Sequence, residues 1–177
     1  MNFSNLISLL DSLSDNWFLS SESCLEAMQT KKVFVNSPSL NVGIYCDSVQ
    51  ADLIVAKLPS PEVLYLNDRA VEVTFLLDCR VHLFLFIDYH GYIVEVRNNL
   101  LTNWFRILCY DSITILTGTK IVLLDNGTYV RMLKKSEEYC RSMYGDDFMT
   151  VSSSWDRWNG PRNVLWEDFI QKPIPLV

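Results

Sequence analysis

The chain has 177 residues, of which 49% are hydrophobic and 20% charged, a composition typical of globular proteins and unlike that of disordered chains. Its length fits one domain with a substantial core, and no apolar run reaches the ~18 residues that a bilayer-spanning helix needs. The net charge of −6, from 15 basic and 21 acidic residues, argues against a protein whose main task is to neutralise nucleic-acid phosphates.

Five cysteines are scattered along the chain without a C-x-x-C pair: Cys24, Cys46, Cys79, Cys109 and Cys140. Their odd number and wide spacing are typical of free thiols in a reducing compartment. The N-terminal residues lack the basic region and the continuous apolar stretch of a signal peptide. We therefore expect a cytoplasmic protein.

The N-terminal segment has a helical pattern. Phe3, Leu6, Ile7 and Leu10 follow the i, i+3, i+4, i+7 spacing, which predicts a helix over residues 2–13. Ser23 and Glu26 have the spacing of a capping box and predict a second helix ending near Thr30. The period then becomes strand-like, which predicts strands at Val33–Val35, Val42–Cys46, Ala51–Leu58 and Val63–Leu66.

Residues 70–99 alternate in a way that predicts a three-stranded antiparallel meander. A two-residue turn at His90-Gly91 sets Tyr89 opposite Tyr92 and Ile87 opposite Val94. A three-residue loop over residues 78–80 sets Leu77 opposite Val81. This alignment gathers the apolar positions on one face and leaves the other face mixed.

A second group of elements follows. Leu101, Trp104, Phe105 and Leu108 have helical spacing and predict a helix from Thr102 to about Cys109. Strands are then predicted at Ile113–Leu116, Lys120–Leu124 and Tyr129–Leu133, and the Asn-Gly turn pairs Leu123 with Val130 and Ile121 with Met132. A helix over Ser136–Met143 capped by Gly145, an ordered loop over 150–163 and a helical turn within Val164–Gln171 complete the prediction.

These elements predict an α+β fold. Its mostly antiparallel sheet is built from two meanders, is curved or partly closed, and is covered by N-terminal, central and C-terminal helices. We expect a single domain, 1–177. Residues 1–30 form a helical segment, 31–133 a sheet core with one inserted helix, and 134–177 a C-terminal helix, loop and tail.

The mixed face of the central meander is one candidate site, a ligand pocket. Its residues are Glu72, His82, Phe84, Phe86, Glu95 and Arg97. His82 and Asp88 would lie ~20 Å apart on an extended strand, too far to share a metal ion, so no metal is predicted. The chain carries no G-x-S-x-G, P-loop, G-x-G-x-x-G or H-E-x-x-H motif, so we expect no cofactor and none of the common hydrolases, NTPases or dinucleotide enzymes.

The other candidate is a partner-binding surface. Trp155, Arg157 and Trp158 are residue types enriched at binding hot spots, and Asp146 and Asp147 would add an acidic rim. In the competing interpretation both tryptophans fold back and seal the core.

The leading hypothesis is a non-enzymatic intracellular protein that binds a macromolecular partner, namely another protein with a basic surface, and neither nucleic acid nor membrane. Immunity proteins that neutralise bacterial toxins are an analogy of type, and a viral or phage accessory protein fits equally well. The alternative is a small-ligand-binding or catalytic domain that uses the mixed face around His82, Glu95 and Arg97.

Overall fold

The computed structural model describes residues 4–33, 38–77, 79–98, 104–150 and 166–171, the last six by their backbone alone. The described helices are α1 Ser4–Leu13, α2 Ser21–Thr30, α3 Ser48–Lys57, α4 Ser112–Leu116 and α5 Ser136–Tyr144, with a 3₁₀ turn at Phe148–Thr150. The described strands are β1 Phe18–Leu19, β2 Ser39–Tyr45, β3 Glu62–Leu66, β4 Arg69–Leu76, β5 Arg80–Tyr89, β6 Tyr92–Asn98, β7 Trp104–Tyr110, β8 Thr119–Leu123, β9 Tyr129–Leu133 and β10 Trp166–Gln171.

Eight strands form one open, mixed sheet in which β1, β2, β5, β6, β7 and β10 follow one another, while β4 pairs with β5 and β3 with β4. Only the β2–β5 pair is parallel among the described pairs. Strands β8 and β9 form a separate two-stranded sheet. The predicted α+β class with a mostly antiparallel sheet is therefore confirmed.

Strand β5 is the centre of the large sheet because three other strands pair with it. Its residues 80–84 pair with β4, residues 80–86 pair with β2, and its last three residues pair with β6. Side chains on both of its faces are buried, from Val81 through Ile87 with the partial exception of His82. Burial on both faces explains why the strand reads as an almost continuous apolar run.

Both faces of the sheet are buried, and their buried apolar side chains form two clusters. The larger core combines β2, β4 and β5 with α1, α2, α5 and the inner side of the β8–β9 hairpin. The smaller core consists of Leu66, Val71, Ile87, Val94, Val96, Phe105, Ile107 and Cys109. Helices α2 and α5 lie over the face that carries Phe84 and Phe86. The larger core also includes Val81, Leu83 and Leu85 on the opposite face of β5, which the smaller core continues.

The predicted assignment of side chains to the two faces of the central meander is confirmed, but one of its two strand registers is not. The His90-Gly91 turn, with both φ angles positive, sets Tyr89 opposite Tyr92 and Ile87 opposite Val94 as predicted. Strands β4 and β5 are offset by two residues, so that Phe75, rather than Leu77, lies opposite Val81. An offset of two leaves every side chain on its predicted face.

Four element types were predicted wrongly, and three of them lie between residues 51 and 116. Residues 51–57 belong to helix α3, which begins with a capping box between Asp47 and Gln50. The predicted central helix is in fact strand β7. The sequence did not indicate a strand, because burial on both faces removes the alternation that identifies one. Residues 113–116 lie in helix α4, whose first turn is capped by the Asp111 carboxylate accepting from Ile113 N–H.

The β8–β9 hairpin differs from its prediction by one residue. Leu123 lies opposite Tyr129 and Val122 opposite Val130, because Leu124 joins the turn and donates to the Thr128 carbonyl at 2.9 Å. An offset of one moves every side chain of a strand to the other face. Val122 therefore takes the inward side, while Ile121 and Leu123 face outward.

The remaining predictions have mixed outcomes. Helices α1 and α5 are confirmed, as is the end of α2 at Thr30, but Ser20 rather than Ser23 precedes α2. Strand β10 replaces the predicted C-terminal helical turn. Most of the predicted strand Val33–Val35 and of the loop 150–163 lies outside the described residues. The described helices have ten residues or fewer, and none has the length and apolar character needed to cross a membrane.

Candidate functional site

The mixed face of the central meander contains a buried cluster of polar side chains. Strand β6 places Glu95 and Arg97 on this face two residues apart, and Arg97 Nε donates to Glu95 Oε1 at 2.7 Å. Tyr110 of β7 donates its hydroxyl to Glu95 Oε2 at 2.7 Å. Glu95 is 0% exposed and Arg97 6%, so the sheet and its covering helices enclose the ion pair almost completely.

Helices α2 and α5 close this cluster from above. Arg97 Nη2 donates to Ser21 Oγ of α2 at 2.8 Å and approaches the Met143 sulfur of α5 at 3.8 Å. Ser21 N–H in turn donates to the Tyr139 hydroxyl at 3.1 Å. The cluster therefore ties both helices to the sheet, and its hydrogen bonds offset the cost of burying two charges.

Burial and charge hold the cluster in one protonation state. Burial opposes the charge of Arg97, but the Glu95 carboxylate, together with Tyr110 and Tyr139, more than compensates, so the pKa of the guanidinium lies well above its ordinary value. Burial, followed by repulsion from Glu95, raises the pKa of Tyr110 and of Tyr139 well above the usual range. Both phenols stay neutral at physiological pH, and the arrangement suits a structural network rather than proton transfer.

Phe84 and Phe86 complete the covered face. The Arg97 guanidinium lies 5.7 Å from the centre of the Phe84 ring, within the range of a cation–π contact. The Phe86 ring packs against Phe18 at 5.2 Å and Tyr110 at 5.7 Å between centroids. A side chain at Gly43 would lie 2.5 Å from Phe18 and 2.8 Å from Phe86, so this position of β2 has room only for glycine. Aromatic rings thus fill the predicted pocket floor.

Glu72 and His82 lie at the margin of the same face. His82 Nδ1 is 3.5 Å from Glu72 Oε1 and 3.2 Å from Thr74 Oγ1, and the His82 and Glu72 side chains are 20% and 15% exposed. The structure therefore divides the six predicted pocket residues. Four are packed beneath α2 and α5, and two form a partly exposed polar pair. Among the described residues, no group of three or more His, Cys, Asp or Glu could hold a metal ion.

The predicted partner surface lies mostly outside the described residues. Asp146 and Asp147 are exposed just after α5, and Asp146 pairs with Arg141 at 3.3 Å between Oδ1 and Nε. Trp155, Arg157 and Trp158 are not described.

The outward side of the β8–β9 hairpin exposes three large apolar side chains that sequence reasoning placed elsewhere or left out. Ile121 is 63% exposed, Leu123 52% and Tyr129 60%. Tyr129 lies directly opposite Leu123, and Ile121 is two residues along the same strand, so all three share one side. We call these three residues the hairpin face. The predicted register placed Ile121 and Leu123 inside, which is why the sequence alone did not indicate this surface.

An open groove of about 450 Å³ adjoins the hairpin face, lined by Ser4, Ile7 and Ser8 of α1 and by residues 126–129 of the hairpin. Tyr129 belongs to both. Arg131, opposite Ile121, pairs with Asp11 of α1 at 3.1 Å, and Asp11 accepts from Trp17 Nε1 at 2.8 Å. These bonds hold the hairpin against α1 and make the groove and the hairpin face one continuous surface.

Comparison with protein-family models and with curated proteins found no match to this chain.

Proposed function

We propose that the chain is a non-enzymatic protein-binding module. The observation that supports this proposal is the hairpin face, where three large apolar side chains are each more than half exposed on one side of a two-stranded sheet. Exposed apolar side chains grouped in this way are typical of surfaces that another protein covers. The polar side chains best suited to chemistry, Glu95 and Arg97, are by contrast enclosed and satisfied by one another.

The partner we propose is a protein with an apolar patch bordered by basic residues. The chain has a net charge of −6, and Asp125 is exposed in the turn of the hairpin, so a basic partner is attracted and oriented. The exposed Asp146 and Asp147, with Trp155, Arg157 and Trp158, are the second candidate surface for the same partner. The pairing of an acidic immunity protein with a basic toxin, or of a viral accessory protein with its target, would have this chemistry.

We also propose that the protein works in the cytoplasm, because its five cysteines are buried and in the reduced form.

A second candidate function is small-ligand binding at the margin of the mixed face. The partly exposed contact between His82 and Glu72 favours it, since imidazole and carboxylate groups can exchange protons with a ligand. Glu95 and Arg97, the other charged residues of that predicted pocket, would be reached only if α2 and α5 moved away.

The test is affinity purification of the tagged full chain from its native host, followed by mass spectrometry. The wild type is compared with Leu123→Ser/Tyr129→Ser, with Trp155→Ala/Trp158→Ala, and with the control Leu76→Ser, whose side chain is 72% exposed on another part of the surface. We expect a stoichiometric partner that the hairpin variant loses and the control retains.

Loss of the partner only with the tryptophan variant would move the binding surface to the C-terminal segment. Recovery of the protein alone in repeated purifications, or equal loss with the Leu76 control, would overturn the proposal.

A further inference from the structure

Two of the five cysteines meet inside the protein. Cys24 of α2 and Cys140 of α5 are 116 residues apart in sequence, yet their sulfur atoms are 3.6 Å apart. Both residues are 0% exposed and belong to the larger core. Both are free thiols.

Helix α2 is hydrogen-bonded to α5 near the thiol pair and, further along, to the 3₁₀ turn that follows α5. Next to Cys140 in sequence, the Tyr139 hydroxyl accepts the Ser21 N–H at 3.1 Å. Towards the end of α2, Gln29 Nε2 donates to the carbonyl of Phe148. A disulfide needs its two sulfur atoms ~2.05 Å apart, so they must approach by about 1.5 Å. The proposal requires this movement to come from rotation of the two side chains and from small shifts of α2 and α5.

We propose that Cys24 and Cys140 form a redox modification site, at which a small peroxide converts the two thiols into a disulfide that joins α2 to α5. This inference does not depend on the proposed protein-binding function. One thiol loses its proton, and the thiolate attacks a peroxide oxygen, so that the O–O bond breaks and a sulfenic acid forms. The hydroxide that leaves takes up the proton and becomes water. The second thiol attacks the sulfenic sulfur, the S–O bond breaks, the S–S bond forms, and a second water leaves. The peroxide gains the two electrons that the thiols lose.

The surroundings of the pair determine its rate. The hydrogen bond with Cys24, followed by burial, raises the pKa of the Cys140 thiol well above its ordinary value. Because the thiolate is the reactive form, oxidation is slow near neutral pH and faster in alkaline solution. The site therefore responds to a sustained oxidant rather than to a brief one.

The product would lock the layer that covers the Glu95–Arg97 cluster. A disulfide that closes a loop of more than 100 residues restricts the unfolded chain strongly, and we expect the thermal midpoint to rise by roughly 10 °C. Reduction would reverse this shift.

The experiment uses the purified full chain, reduced and then treated with hydrogen peroxide at pH 7 and pH 9. Thiols are counted in denaturant, and a tryptic digest is analysed without reduction. We expect the count to fall from five to three, faster at pH 9, and a cross-link between peptides 1–31 and 136–141. Five remaining thiols, or a cross-link through other cysteines, would overturn the proposal.

Variants sharpen this result. Cys24→Ala and Cys140→Ala should abolish both the cross-link and the reductant-sensitive rise of the thermal midpoint. Cys109→Ala, a buried thiol of the smaller core, should keep both. Peptide mapping of the wild type tests the site even if a variant fails to fold, and an unchanged midpoint in the cross-linked wild type would refute the proposed locking of α2 to α5.

Discussion

The central meander and the β8–β9 hairpin differ in how they respond to an error in strand register. In the meander, β4 and β5 are offset by two residues from the predicted alignment, and every side chain keeps its face. In the hairpin the offset is one residue, so Ile121 and Leu123 face solvent instead of the core. An even offset is thus harmless to the assignment of faces, whereas an odd offset reverses it.

The two regions also differ in what surrounds them. The meander is buried on both of its faces, and even its charged pair Glu95–Arg97 is enclosed. The hairpin has one buried side and one open side, and its charged pair Arg131–Asp11 lies at the surface with side chains 24% and 43% exposed. Equivalent substitutions in the two regions should therefore have unequal costs.

The largest difference is expected between the two arginines. Arg97→Ala leaves Glu95 buried without its counter-charge and should lower the free energy of unfolding by about 3–5 kcal/mol. Arg131→Ala, which breaks a partly exposed pair, should cost less than about 1 kcal/mol. Urea denaturation of both variants measures the difference, and similar losses would show that the two pairs do not differ in burial.

The hairpin register is tested by neighbouring leucines. Leu124 is 2% exposed and Leu123 is 52% exposed. Leu124→Ala should destabilise the protein by about 2–5 kcal/mol through the cavity it leaves, and Leu123→Ala by no more than about 0.5 kcal/mol. The reverse order would mean that the hairpin adopts the register predicted from the sequence.

Two glycines are required for different reasons, and substitution separates them. At Gly43 in the large sheet a new Cβ meets the Phe18 and Phe86 rings, so Gly43→Ala should cost about 1–3 kcal/mol and Gly43→Asn more. At Gly127 in the hairpin nothing lies within 4 Å, but φ is +81°, so Gly127→Ala should cost about 1–2 kcal/mol and Gly127→Asn less. The opposite ranking of alanine and asparagine at the two sites is the result to look for in denaturation curves.

The smallest effect concerns alkaline pH. Burial raises the pKa of Tyr110, Tyr139 and Tyr144 well above the usual value, so the unfolded chain ionises first as pH rises. Their contribution to the free energy of unfolding is complete below pH ~10. Above that pH it falls by about 1.4 kcal/mol per pH unit for each tyrosine. Tyr144→Phe should reduce this slope by one such increment in urea titrations at pH 9 to 11. An equal change in Tyr129→Phe, which removes an exposed phenol, would contradict burial as the cause.

The parts of the fold that could be predicted have local signals. Helix α1 has an amphipathic stripe, α5 ends at Gly145 with φ +92°, and the His90-Gly91 turn sets its own pairing. Strand β7 could not be recognised, because both of its faces are buried and its apolar run also matches a helix. Helix α3 was missed although Asp47 and Gln50 carried a capping signal.

The candidate site shows the same division. Parity alone placed Glu95 and Arg97 on one face with Phe84 and Phe86, and the structure brings these four together. That this face is covered follows from Ser21, Tyr139 and Met143, which come from helices far away in the sequence. The hairpin face could not be found either, because both registers of the turn bury a comparable set of apolar residues.

By itself the sequence determined which residues share a side of each strand in the central meander, since side chains alternate with a period of two whatever surrounds them. Only the tertiary structure decided which sides are buried, because that depends on the free energy gained when distant helices pack against one face and not another. The enclosed ion pair and the exposed hairpin face both result from this packing.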